Sequence, residues 1–206
     1  PYYNAISNDT DITFTPTIFD KDVFLFENEY RKSAKNYDLL VDYGFVNNYE
    51  SPTTKKRKNL YHFLLKLNKD LGYENFDESS ITLSLEKSTN DTYFKVFDQY
   101  ITKSSVRPND LNKLNNHFKL RLNNENFNFE GGIESYEDLQ TNNSSDKHQF
   151  ILPYYNFSSD INQNKLNGNL NFNSSGNNTL KDTNNLKSLI INDISFDSFD
   201  FLSKSG

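Results

Sequence analysis

The three histidines, His62, His117 and His148, are the side chains of this sequence best suited to proton transfer or metal binding. They stand far apart, and none belongs to a GxSxG, an HExxH or another paired metal-ligand motif. Serine is common, so the composition is compatible with a Ser–His lipase, although no local motif indicates one. His117 alternates with Lys119 and Arg121, which favours a solvated side chain. The sequence therefore predicts no enzyme, no cofactor and no metal site.

A basic run at Lys55–Lys58 could contact a phosphate group of a lipid or a nucleic acid. The whole chain is acidic, however, with 22 Lys and Arg against 28 Asp and Glu and a formal net charge of −6. A nucleic-acid partner is therefore not expected, and the run is interpreted as the solvated end of a loop. Cysteine is absent, which excludes disulfides and thiolate metal sites within this sequence.

The composition combines few aliphatic residues with many aromatic ones. Only 34% of the 206 residues are hydrophobic, yet the chain contains 18 Phe and 13 Tyr. A disordered chain would lack these aromatics, and a soluble globule would contain more aliphatic residues. A membrane barrel needs one apolar face and girdles of aromatic residues. No run of 18 apolar residues predicts a transmembrane helix, and the start at Pro1, without a leader sequence, indicates an internal piece of a longer protein.

Apolar and polar residues alternate over much of the chain, as they do in a strand with one apolar side and one solvated side. In the first clear case Ile12, Phe14, Pro16 and Ile18 share one side. The next two segments alternate in the same way, from Phe24 to Arg31 and from Tyr37 to Phe45. The polar sides of these three segments supply the candidate lumen-facing residues: Asp11, Thr13, Thr15, Thr17, Glu27, Glu29, Arg31, Asp38 and Asp42.

The same alternation returns later in the chain, including its Asn-rich second half. A helix does not explain it, because residues two apart fall on opposite sides of a helix. Gly131-Gly132 lies inside one such segment and predicts a bulge or bend. The segments around 150–157 and 186–196 are strand-like, but their faces are not assigned. The count is about ten or eleven strands, with the later alternating segments at 61–67, 81–86, 113–122, 127–133 and 166–173.

A soluble antiparallel sheet with one wet face would show the same alternation. Two features favour a membrane: the segments approach the nine to eleven residues of a tilted membrane strand, and short links alternate with long ones. The fold class predicted is an all-β, antiparallel transmembrane β-barrel fragment, a curved meander sheet forming one partial barrel domain over 1–206. The short links are expected at 20–22 and 123–125, and the long polar ones at 47–58, 88–110 and 140–147.

The opening PYYNAISNDTDITFTP, followed by VFLFENEYR, resembles the start of the barrel in the LptD family of lipopolysaccharide-assembly proteins. NLYHFLLKLN, STNDTYFKVF and SDKHQFILPYYNFS resemble later family segments in the same order. One departure is Asn4, where many members have Trp, and this sequence contains no Trp. The resemblance covers the chain in order and is most specific over the first 31 residues.

This resemblance implies a role in inserting lipopolysaccharide into the outer leaflet of the outer membrane of a Gram-negative bacterium. It also implies three kinds of partner besides lipopolysaccharide: an LptE-like plug lipoprotein, outer-membrane lipids, and periplasmic Lpt bridge components that would bind an N-terminal domain outside this chain. The remaining alternatives are another outer-membrane barrel, such as a porin or receptor, and a soluble β-rich adhesin.

Pro1 and Pro16 are the candidate lateral-gate residues. Proline has no N–H and removes one hydrogen bond from a sheet ladder. By the resemblance both prolines lie beside the seam between the first and last barrel strands, where a missing bond makes parting easier. Taken alone, Pro16 is better explained as marking a strand end or a bulge, and only its paired placement with Pro1 and the resemblance favour the gate.

Overall fold

The computed structural model describes residues 1–19, 21–101, 104, 106–141, 147–161, 167–182 and 184–199. Within them the chain forms strands and one short helix, α1 (Tyr93–Val96). The strands are β1 (Tyr2–Ser7), β2 (Thr10–Ile18), β3 (Phe24–Ala34), β4 (Tyr37–Glu50), β5 (Arg57–Asp70), β6 (Glu78–Ser88), β7 (Lys113–Asn124), β8 (Phe127–Asp138), β9 (His148–Ile161), β10 (Gly168–Lys181) and β11 (Asn185–Ser198).

The eleven strands form one antiparallel sheet in which each strand pairs with the next along the chain. This confirms the predicted all-β antiparallel meander, and eleven strands agree with the predicted count of about ten or eleven. In the described part of the chain β1 and β11 do not pair with each other, so the sheet is open and is compatible with part of a barrel. No helix among the described residues is long and apolar enough to cross a membrane.

The strand register gives the sheet an apolar face and a polar face, because residues directly opposite each other on paired strands point to the same side. The apolar face is the side of the row Ile12, Tyr30, Val41, Leu65 and Leu85. The polar face is the side of the row Thr13, Glu29, Asp42, Leu64 and Glu86.

In a meander, successive links lie at opposite ends of the sheet. The short links 35–36 and 125–126 lie at one end, together with the longer link 71–77, and the links 51–56 and 89–112 lie at the other, so the predicted alternation of short and long links is only partly observed. Two details correct the prediction. The turn at 20–22, which was predicted as one of the short links, lies at the same end of the sheet as the links 51–56 and 89–112. Asp20 itself lies outside the described residues. The basic run is only partly a loop, because β5 begins at Arg57.

The bulge expected at Gly131-Gly132 is confirmed, since the register between β8 and β9 shifts between Gly132 and Glu134. A Cβ on Gly132 would come within 2.2 Å of the Phe118 carbonyl oxygen, so only glycine permits this close approach. Among the residues of the later alternating segments, Leu166 lies outside the described part of the chain.

The main departure from the prediction is the link between β6 and β7, which was expected to be a polar loop. Its described residues, 89–101, 104 and 106–112, are called the covering segment here. They fold back over the polar face and bury apolar side chains against it. The resulting core contains four residues of β3–β5 and five of the covering segment, together with two others: Leu25, Val46, Leu60, Leu64, Tyr93, Phe94, Phe97, Ile101, Val106, Leu114 and Leu139.

Candidate functional site

The strand register brings the nine candidate lumen-facing residues onto one face. Asp11 lies opposite Arg31, and Thr13 lies opposite Glu29, which in turn lies opposite Asp42. The remaining four residues, Thr15, Thr17, Glu27 and Asp38, continue the polar face along the same three strands. That this face lines an aqueous lumen stays a prediction.

The exposed part of this face carries charges that pair across strands. Arg31 donates from Nε to Asp11 Oδ1 at 2.9 Å, and Glu29 Oε1 lies 3.7 Å from the same nitrogen. Because the Arg31 side chain is about half exposed, such a pair contributes only about 0–1 kcal/mol to stability. Ser33 donates its hydroxyl to Asp38. This part of the polar face is therefore hydrated, and its charges are partly paired across strands.

Glu27 and Asp42, in contrast, are not solvated, because the covering segment lies over them. Only 2% of Glu27 and 1% of Asp42 is exposed. Next to them His62 is fully buried, and its Nε2 lies 3.1 Å from Asp42 Oδ1. The structure thus assembles a buried polar cluster of Glu27, Asp42, His62 and Tyr93. The scattered positions of the three histidines in the sequence did not reveal it.

Gly44 makes this packing possible. It lies on β4 directly opposite both Glu27 and His62. A Cβ at this position would come within 2.4 Å of His62 Cε1 and 3.0 Å of the Tyr93 hydroxyl. The His62 ring therefore lies over the bare glycine backbone, with the Tyr93 ring centroid 5.1 Å from its own.

The Asp42–His62 pair does not form part of a nucleophilic relay. In such a relay the second ring nitrogen of the histidine would bond a hydroxyl or thiol. His62 Nδ1 has no hydrogen-bond partner among the described residues. Ser88 lies directly opposite His62 in the sheet, but its hydroxyl donates to the Asn90 carbonyl oxygen at 3.2 Å. The covering segment also closes the pair off from any substrate.

Docking of the covering segment is driven by apolar contacts and opposed by polar atoms that find no partner. Within the described residues, Asp42 Oδ2, His62 Nδ1 and the Tyr93 hydroxyl make no hydrogen bond. Each unsatisfied buried polar atom costs about 1–3 kcal/mol. Burial, together with the nearby carboxylates of Glu27 and Asp42, raises the pKa of Tyr93 far above its usual range. Tyr93 is therefore a neutral phenol in the docked state.

Hydrogen bonds connect both ends of the covering segment to the rest of the protein. At its start, Thr89 donates its backbone N–H to the Tyr61 carbonyl oxygen at 3.0 Å. Asp91 accepts from Lys147 Nζ at 2.7 Å, and this hydrogen bond raises the pKa of Lys147. At the other end, the backbone N–H of Leu139 donates to a carbonyl oxygen of the segment, that of Asn112, at 2.8 Å.

The part of the polar face on β5–β8, beside the covering segment, carries a second set of charges. Lys119 lies 3.1 Å from Glu134, and Arg121 lies 2.7 Å from Glu130. His117 is directly opposite Glu134. Its ring is half-buried, and its Nδ1 is shielded from solvent without a hydrogen-bond partner among the described residues, so the solvated side chain predicted from its alternation with two cations is not fully observed. Lys119 and Arg121 are thus largely neutralised by neighbouring carboxylates, and this part of the polar face does not form a strongly basic surface.

The two candidate gate prolines lie at the β1 side of the sheet. Pro1 immediately precedes β1 and is exposed. Pro16 lies within β2, opposite Phe26 of β3. The pairing of β2 with β1 ends at Phe14, so Pro16 lies where β2 has a partner on one side only. The missing N–H is therefore tolerated there, and a gate role stays a prediction.

Two signals in the sequence could have revealed the covering segment. Tyr93, Phe94 and Phe97 follow a helical spacing inside a link that was read as polar. Leu25 and Leu60 occupy strand positions on the polar face. If that face were fully exposed to solvent, polar residues would be expected at these positions.

No group of three or more His, Cys, Asp or Glu side chains in the described part of the chain is placed to hold a metal ion. In comparisons with protein families and with curated proteins, the chain has no significant match to either.

Proposed function

We propose that this chain is part of an outer-membrane translocon that inserts lipopolysaccharide into the outer leaflet, through a polar lumen and a lateral seam. The observation that carries the proposal is a continuous antiparallel meander with an exposed apolar face and a charged, amide-rich polar face. The likeness of its opening strands to the LptD family selects lipopolysaccharide among the possible cargoes. A periplasmic bridge, an LptE-like plug and the surrounding lipids are the expected partners, and no catalytic step is proposed.

Each face has a separate task in this proposal. The apolar face, with Val41, Leu65 and Leu85 in its middle row, contacts lipid chains. The polar face hydrates the sugar portion of the cargo, which would lose its hydrogen bonds with water in an apolar pore. The covering segment narrows the passage beside β3–β5.

Depletion of the protein in its native bacterium tests the proposal. We expect lipopolysaccharide at the cell surface to fall, because no other route through the outer membrane replaces the translocon. The measurement is labelling of intact cells with a probe that recognises surface lipopolysaccharide. A normal surface signal after depletion would contradict the proposed function.

A diffusion pore is the second candidate, and the covering segment is the observation that favours it. A segment folded against the inner wall narrows any channel and would set a size limit for solutes. Under this alternative, depletion would reduce uptake of small hydrophilic solutes and leave surface lipopolysaccharide unchanged. The same depleted cells therefore separate the two candidates.

Replacing both Pro1 and Pro16 with Thr is expected to slow lipopolysaccharide export. Each substitution supplies a backbone N–H that can join the ladder, worth about 0.5–1.5 kcal/mol per bond. The seam would then part less readily. Pulse-labelled lipopolysaccharide arriving at the cell surface is the measurement, and Pro52→Thr, in the link between β4 and β5, is the control. Equal export by the double variant and this control would count against the gate.

A further inference from the structure

The polar face changes character between β8 and β11, where amide and hydroxyl side chains replace paired charges. One row of directly opposed residues consists of Asn128, Ser158, Asn173 and Asp193. The next row contains Glu130, Asn156, Ser175 and Ile191. Both rows line one concavity of about 390 Å³. We propose that this concavity binds neutral sugar residues, and the inference rests on the proposed function because it assigns the sugar portion of the cargo to one part of the wall.

Four amide and hydroxyl side chains of these two rows are not used in holding the protein together. None of the side chains of Asn156, Ser158, Asn173 and Ser175 makes a hydrogen bond to another described residue. On β2–β7 the charged side chains largely pair with each other, as Arg31 does with Asp11. Donors and acceptors on β8–β11 are therefore available to a ligand, and amides offer both kinds side by side.

The charge of the concavity favours a neutral ligand over a phosphate. Among the described residues that line it, Glu130 and Asp193 alone carry a charge. Glu130 accepts from Arg121 Nη2 at 2.7 Å and is neutralised by it. With no cation among the lining residues, a phosphate group would meet only amides, hydroxyls and carboxylates. A sugar hydroxyl, in contrast, can donate to a carboxylate or an amide oxygen and accept from an amide N–H.

The concavity also has apolar surface suited to the C–H face of a sugar ring. Ile191 borders it on the β11 side. Tyr154 lines an adjoining concavity of about 310 Å³, which shares Asn156 and Ser175 with the first. An aromatic ring next to a few convergent polar groups is a common arrangement in ligand sites. Through their shared residues the two concavities are continuous across the polar face of β8–β11.

Calorimetric titration of the purified full-length protein in detergent with a short neutral glucan oligosaccharide tests the site. Replacing Asn156 and Asn173 together with Ala should weaken binding roughly tenfold, since two hydrogen bonds are lost. The matched control is Asn178→Ala, on β10 but pointing to the opposite face. Binding should also be insensitive to salt, because no ion pair forms. Retained heat-dependent migration of each variant in gels shows that it is folded.

Three results would overturn the sugar site: no binding of the glucan, equal losses in the double variant and the control, or tighter binding of a phosphorylated sugar than of the neutral one. These failures are distinguishable from failure of the proposed function. A protein that is required for surface lipopolysaccharide but does not bind the glucan would refute the sugar site alone. A protein that is not required for surface lipopolysaccharide would refute the function on which the site rests.

Discussion

Leu65→Arg is expected to prevent stable insertion of the protein into the outer membrane. Leu65 lies in the middle row of the apolar face, between Val41 and Leu85 on the adjacent strands. A cation on the lipid-facing side of a barrel near the middle of the bilayer costs about 2–4 kcal/mol. That is a large part of the net stability of a typical domain. The measurement is the fraction of folded protein in the outer-membrane fraction, read from heat-dependent migration in gels.

Asn68→Arg is the matched control for this substitution. Asn68 is on the same strand, β5, but lies opposite Asp38 on the polar face. An added cation there stays in water beside a carboxylate, so insertion should be unchanged. If Leu65→Arg inserted as well as Asn68→Arg, or if the unaltered protein folded as a water-soluble species without detergent, the apolar face would not be a lipid surface.

Gly44→Ala is expected to release the covering segment from the polar face. The added methyl group would lie 2.4 Å from His62 Cε1, and His62 has no free space because it is fully buried. Overpacking of this kind costs about 1–3 kcal/mol. The ring must leave Asp42 or displace Tyr93, so the released population should rise roughly tenfold. Trypsin cleavage after Lys95, an exposed residue of α1, measures the release.

Gly72→Asn controls for a general effect of replacing glycine. Gly72 has a positive φ of 65°, which asparagine adopts more readily than most residues, and no atom lies within 4 Å of its Cβ position. Cleavage after Lys95 should therefore match that of the unaltered protein. If Gly44→Ala were cleaved no faster than Gly72→Asn, the close packing of Gly44, His62 and Tyr93 would not hold the segment in place.

In the Asn-rich second half, the sequence pattern predicted strands but did not assign all of their faces. The alternation around Leu170–Asn173 was sufficient to predict a strand, and β10 is observed there. The faces of β9 and β11 were not assignable, because their apolar residues occur on both sides. Leu189 and Ile190 are adjacent in β11, and both are exposed. Only pairing with β10, which places Leu189 opposite Asn177, assigns each of them to a face.

The sequence by itself determined the strands, their order along the sheet and the sorting of Thr13, Glu29 and Asp42 onto one side. Side-chain direction in a strand depends only on position along the chain, with a period of two residues. Tertiary structure alone decided that the covering segment folds back and buries Asp42 with His62 and Tyr93. That arrangement depends on contacts between residues far apart in sequence and on the space left by Gly44, and no local period encodes either of them.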